Sequence, residues 1–117
     1  MSGTAMQWTG TGLLVLFALC VAGPGHAERL SPAKEITWIR VNKELVQSTL
    51  RDPASAQFSS VRVSYTSGAP VVCGLVNAKN AFGGYTGNRR FVGAGKTIGT
   101  FIEGESEDFA ALWNMLC

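Results

Sequence analysis

The sequence predicts an α+β domain, with a long N-terminal helix and a short C-terminal helix packed on one face of a three- or four-stranded antiparallel sheet. Three observations carry this. Residues 33–51 contain neither Gly nor Pro and repeat apolar side chains at helical spacing. From Ser59 the apolar period changes to two, and such segments recur between turns rich in glycine and proline. At the end of the chain Phe109, Leu112, Trp113 and Leu116 return to helical spacing.

The chain of 117 residues has room for one domain, and its start reads as an address. From Gly12 to Gly23 the run GLLVLFALCVAG carries no charge. It has the length of a signal-peptide h-region and falls short of the roughly 20 apolar residues of a membrane-spanning helix. Gly23-Pro24 breaks it, and Gly25-His26-Ala27 puts small residues where a signal peptidase reads. The expected division is a cleaved signal peptide over residues 1–27 and one domain over 28–117, periplasmic or secreted. Residues 1–11 hold no Lys or Arg, so retention as a membrane anchor is the alternative, and only then is a membrane a partner. A lipoprotein start at Cys20 fits less well, because Leu19 stands where a lipobox has a small residue.

Cleavage removes Cys20 and His26, the only histidine, and leaves Cys73 and Cys117. An even pair in an exported chain reads as a disulfide; the alternative is a reactive or metal-binding thiol pair. A zinc site would need unusual ligands without histidine. Closing a loop of about 45 residues contributes roughly 4 kcal/mol in the chain-entropy description. No cofactor is implied. All ten Lys and Arg and all eight Asp and Glu lie after residue 27, and the resulting net charge of +2 is too mild for nucleic-acid binding.

The first helix starts at Ser31-Pro32, with Ser as N-cap and Pro where a missing N–H is no loss, and runs to about Leu50. Ile36, Ile39, Val46 and Leu50 form one apolar stripe, and Trp38, Val41 and Leu45 a second beside it. An arc this wide lies deep against the core or leaves a flank for a partner. Asp52-Pro53 ends the helix and opens a single short turn, with Asp52 as its cap rather than a catalytic acid. Phe58 then returns to the core.

Val61, Val63 and Tyr65 alternate with Ser60, Arg62 and Ser64, which predicts a strand with one wet face. Residues 66–70 have turn chemistry, and residues 71–76 form the next strand, antiparallel to the first. Residues 90–92 and 97–102 predict two further strands around Gly93-Ala94-Gly95, although Gly99 weakens the last. Ser106 is the expected N-cap of the last helix, with Glu107 and Asp108 in its first turn.

Residues 77–90 join the two central strands. Gly83-Gly84 and Gly87 allow sharp turning, which would present Phe82 and Tyr85 on an exposed rim. The segment lacks the spacing of a phosphate-binding P-loop, and no helix follows it. Two readings stand: a connection that covers the open end of the core, or a recognition surface built from Lys79, Asn80, Phe82, Tyr85, Arg89 and Arg90.

The pattern Asp52-Pro53-x-Ser55-Ala56-x-Phe58, then Val72-Cys73-Gly74-x-Val76-Asn77-Ala78-Lys79-Asn80-x-Phe82-Gly83-Gly84-Tyr85-x-Gly87, then Trp113 and Cys117, resembles a family of small exported bacterial proteins of uncharacterised function. The resemblance implies export, one domain and pairing of the two cysteines. It implies no activity, substrate or catalytic residue.

The function expected is that of a binding or interaction module of the cell envelope, its partner another envelope protein or polymer. A structural subunit of an envelope assembly is the alternative, which the wide apolar arc of the first helix favours. A hydrolase acting on an envelope polymer has poor material: no histidine, no free thiol, and acids that cap or cluster at residues 103–108. Glu103 and Glu105 would share a strand face, but a solvated acidic turn accounts for them. The protein is therefore not expected to be an enzyme.

Overall fold

The structure is a computed structural model, and it describes residues 29–117. The expected leader over residues 1–27, with Cys20 and His26, lies outside the described residues. Within them the helices are α1 (Pro32–Ser48), α2 (Gly95–Ile98) and α3 (Phe109–Leu116). The strands are β1 (Gln57–Ser64), β2 (Val71–Asn77), β3 (Arg89–Gly93) and β4 (Thr100–Ile102), and a 3-10 turn spans Pro53–Ser55. The four strands form one antiparallel sheet in chain order. Among the described residues, no helix is long and apolar enough to cross a membrane.

Helix α1 begins as its sequence requires. Ser31 stands at the cap with extended backbone, its hydroxyl accepts the Lys34 N–H, and Pro32 opens the first turn. Its end comes earlier than Leu50. Thr49 turns its amide and its hydroxyl back onto the Val46 carbonyl, and the Leu50 amide reaches the Gln47 carbonyl.

The two principal helices lie on opposite faces of the sheet, which corrects the expectation of one shared face. Val72 and Val76 of β2, Phe91 of β3 and Ile102 of β4 pack with Val46 and Leu50 of α1. Val71 and Cys73 of β2 and Val92 of β3 pack with Phe109, Trp113 and Leu116 of α3. Neighbouring residues of one strand point to opposite faces, so β2 is apolar on both sides. The face of β1 expected to be wet is covered too: the Ser64 hydroxyl donates to the Leu116 carbonyl at 2.7 Å, and Arg62 stacks over Trp113.

Strict alternation would put Phe58 and Val61 on opposite faces, yet both pack on the α1 side. A bulge between Ser59 and Arg62 resets the period, with Ser60 at φ 51°. Gly74 makes room for it, since a Cβ there would stand 3.0 Å from both the Val61 backbone and the Phe91 ring.

Residues 97 and 98, read as strand, belong to the helical turn α2. Gly95 adopts φ +85° and Gly99 φ +110°, and the Gly99 N–H closes the turn onto the Gly95 carbonyl at 2.8 Å. What holds the turn comes from α1: Asn42, fully buried, accepts the Gly95 N–H on Oδ1 at 2.9 Å and donates from Nδ2 to the Trp38 carbonyl. β4 is correspondingly short.

Two expected caps are not made. Asp52 gives no side-chain bond to the 3-10 turn, which is closed instead by the Ser55 amide and hydroxyl on the Asp52 carbonyl. Helix α3 starts after Asp108, in left-handed backbone, and not at Ser106, whose amide bonds back to Ile102. The cysteines do pair: a disulfide joins Cys73, buried in β2, to Cys117, with Cα atoms 6.2 Å apart. It ties α3 to the middle of the sheet.

Candidate functional site

The connection from β2 to β3 is an ordered hairpin extension. Lys79 and Tyr85 form an antiparallel bridge, the Thr86 amide donates to the Ala78 carbonyl, and the Asn80 amide donates to the Gly84 carbonyl at 2.8 Å. A turn over residues 80–83 closes the tip, its Gly83 amide bonded to the Asn80 carbonyl and its Gly83 backbone at φ +84°. Inside it, Asn80 Oδ1 accepts the N–H groups of Phe82 and Gly84 at 2.9 and 3.1 Å. Asn77 Oδ1 does the same for Gly87 at 3.0 Å. An Asn at each position supplies the acceptor that a turning backbone lacks.

The loop rests on the 3-10 turn. Ser55 Oγ accepts the Lys79 N–H at 2.8 Å, and the Ser55 carbonyl accepts the Tyr85 hydroxyl at 3.2 Å. The Lys79 ammonium sits over the Tyr85 ring, 5.7 Å from its centroid. Phe82 stands at the tip, 96% exposed.

Of the six residues expected to form a surface, Lys79, Phe82 and Tyr85 come together on the hairpin. Asn80 is exposed, but its carbonyl oxygen is turned inward to hold the loop. Arg89 and Arg90 begin β3, and their side chains leave on opposite faces. Arg90 goes to the α3 side, over the rings of Phe109 and Trp113 at 5.4 and 5.2 Å, where it bonds Glu103 at 2.9 Å. It is a fastening between sheet and helix, not part of the hairpin surface. The same Glu103 also accepts the Arg90 backbone N–H. These two bonds from Arg90 hold the Glu103 carboxyl below its ordinary range.

Arg89 goes to the α1 side, where its Nη1 bonds Glu105 at 3.1 Å. Glu103 and Glu105 are thus held by separate arginines and follow β4 in a turn, not on a strand face. Around Arg89 lies a cleft of about 310 Å³ between the end of α1, the hairpin and Glu105. Its wall includes Thr49, Arg51 and Thr86, which carried no recognisable pattern in the sequence. Ser55 was visible there only as one residue of the Asp52-Pro53-x-Ser55 motif. Among the described residues, no cluster of three or more His, Cys, Asp and Glu could hold a metal ion.

No protein-family model, curated protein or solved structure matches the chain.

Proposed function

We propose that the protein is a binding module of the cell envelope, with the hairpin of residues 78–88 as its recognition surface and another envelope protein or polymer as its partner. One observation carries this reading. A loop fixed by its own side-chain and backbone bonds holds a phenylalanine 96% in water at its tip, and the same hairpin carries a lysine stacked on a tyrosine. A preordered loop loses little entropy on association, and an exposed aromatic gains most from being covered. The Cys73–Cys117 disulfide supports an oxidising compartment, as do the leader-like start and the resemblance to small exported proteins.

Site-specific photo-crosslinking in the envelope tests the proposal. A photoreactive residue placed at Phe82 or Tyr85 is expected to give a discrete adduct. The same residue at Ser67, in the turn between β1 and β2 at the other end of the sheet, gives none. Equal adducts at all three positions, or none at 82 and 85, would overturn the reading. An adduct confined to Ile36, 69% exposed on α1, would point instead to a structural subunit.

A further inference from the structure

We propose that the cleft beneath the hairpin is a binding site for a small oxyanion ligand, one carrying carboxylate or phosphate groups, held by Arg51, Lys79 and Arg89. Three cations and a single carboxylate, Glu105, line it. Like charges gather at some cost in free energy, and one carboxylate offsets only part of it here. Among the described residues, neither Arg51 nor Lys79 has a carboxylate within 4 Å, and the two sit on different elements, α1's exit and the hairpin.

Arg89 adds a second observation. Its Nη1 bonds Glu105, but its Nε is enclosed and has no hydrogen-bond partner. A buried donor without an acceptor is costly, and a guanidinium is built to hold two oxygens of one carboxylate or phosphate at once. The Arg89 side chain is nevertheless 28% exposed and lines the cleft, so an oxyanion there would meet the accessible part of its guanidinium beside Glu105.

The negative end of α1 also faces this region and would by itself favour cations. Three of its last four carbonyls are nevertheless occupied: Leu45 accepts the Ser48 hydroxyl, Val46 the Thr49 amide and hydroxyl, and Gln47 the Leu50 amide. That leaves the cationic side chains free of a capping role. Leu50 and Ala78, both buried, give the cleft an apolar floor, so the ligand has a small apolar body beside its charged group. Lys79 also belongs to the hairpin surface, but the site does not depend on a partner at Phe82.

Titration of the ¹⁵N-labelled oxidised protein at constant ionic strength, observed by NMR, is the test. The probes are inorganic phosphate, citrate and benzoate, with chloride as control. Saturable shifts are expected at the backbone amides of Arg51, Lys79 and Arg89 and at Arg89 Nε. Arg51→Gln and Lys79→Gln should each weaken binding about tenfold while leaving the remaining spectrum in place. Phe82→Ala should leave it unchanged, which separates this site from the hairpin tip. Saturation by phosphate alone assigns a phosphorylated ligand, and saturation by citrate or benzoate a carboxylate. Shifts that do not saturate, that chloride reproduces, or that survive both glutamine substitutions overturn the proposal.

Discussion

Asn42 Oδ1 accepts the Gly95 N–H at 2.9 Å across 53 residues of sequence. The bond joins α1 to the turn between β3 and β4, in a place from which water is excluded. Removing one partner of such a bond strands the other. Asn42→Ala is expected to cost about 2–4 kcal/mol, from the unpaired amide and the space left behind. Equilibrium urea unfolding measures it; a loss below about 1 kcal/mol would mean the turn holds itself.

The same asparagine explains a neighbouring glycine. A Cβ at Gly93 would stand 2.6 Å from Asn42 Oδ1. Gly93→Ala should therefore destabilise by roughly 1–3 kcal/mol. An Asn42→Ala background removes the Oδ1 and Cγ contacts and leaves only the residue-42 Cβ, 2.9 Å away, to crowd the added methyl, so the double variant should be more stable than the sum of the single losses. A double-mutant cycle in urea reads this coupling directly. Strict additivity would place the cost of the alanine elsewhere.

How much of this was legible is decided by range. The start of α1 was readable because Ser31 and Pro32 act within one turn, and the β1–β2 hairpin because alternation and a turn suffice. Asn42 was not, since nothing local marks a polar residue that completes a distant turn. Ser60 hides its bulge for the same reason: the reset of period is fixed by Gly74 and Phe91 across the sheet. The opposite placement of the helices did leave a trace, because β2 reads as an unbroken apolar run, the pattern of a strand buried on both faces. In the candidate site, composition found Lys79, Phe82 and Tyr85, which share one loop. It grouped Arg90 with Arg89, though adjacent strand residues diverge. It also missed Arg51, which reaches the cleft from another element.

The disulfide should carry a large share of the stability. Cys117 is the last residue of the sequence and Cys73 is fully buried in the central strand, so the bond closes 44 residues of chain. Cys117→Ser is expected to lower the unfolding free energy by about 2–5 kcal/mol. Reductant should shift the urea midpoint of the wild type and leave that of the variant in place. Insensitivity of the wild type to reductant would count against the bond as a stabilising link.

Acid should loosen the junction of β3, β4 and α3. The Glu103 carboxyl, bonded to the Arg90 guanidinium and backbone amide, titrates below its ordinary value of 4.5 in the folded protein. A depressed folded pKa means stability that is present above the unfolded value and lost as pH falls through the folded one. Wild type should thus lose more stability than Glu103→Gln between about pH 6 and pH 3. Urea midpoints measured across that range decide it. Parallel curves would show that the carboxyl does not drive the change.

Asn80 separates order in the hairpin from recognition by it. Its Oδ1 is the acceptor for two backbone amides at the tip, so Asn80→Ala should speed hydrogen exchange at Phe82 and Gly84 by about tenfold. The core packs elsewhere, and global stability should move by less than about 1 kcal/mol. Asn80→Asp keeps the acceptor oxygen and should keep both amides protected. It also places a negative charge on the wall of the cleft, where Asn80 lies with Arg51, Lys79 and Arg89. The aspartate variant should accordingly hold its loop and lose anion binding. If the loop amides exchange faster in Asn80→Asp as well, the side-chain oxygen is not what orders the tip.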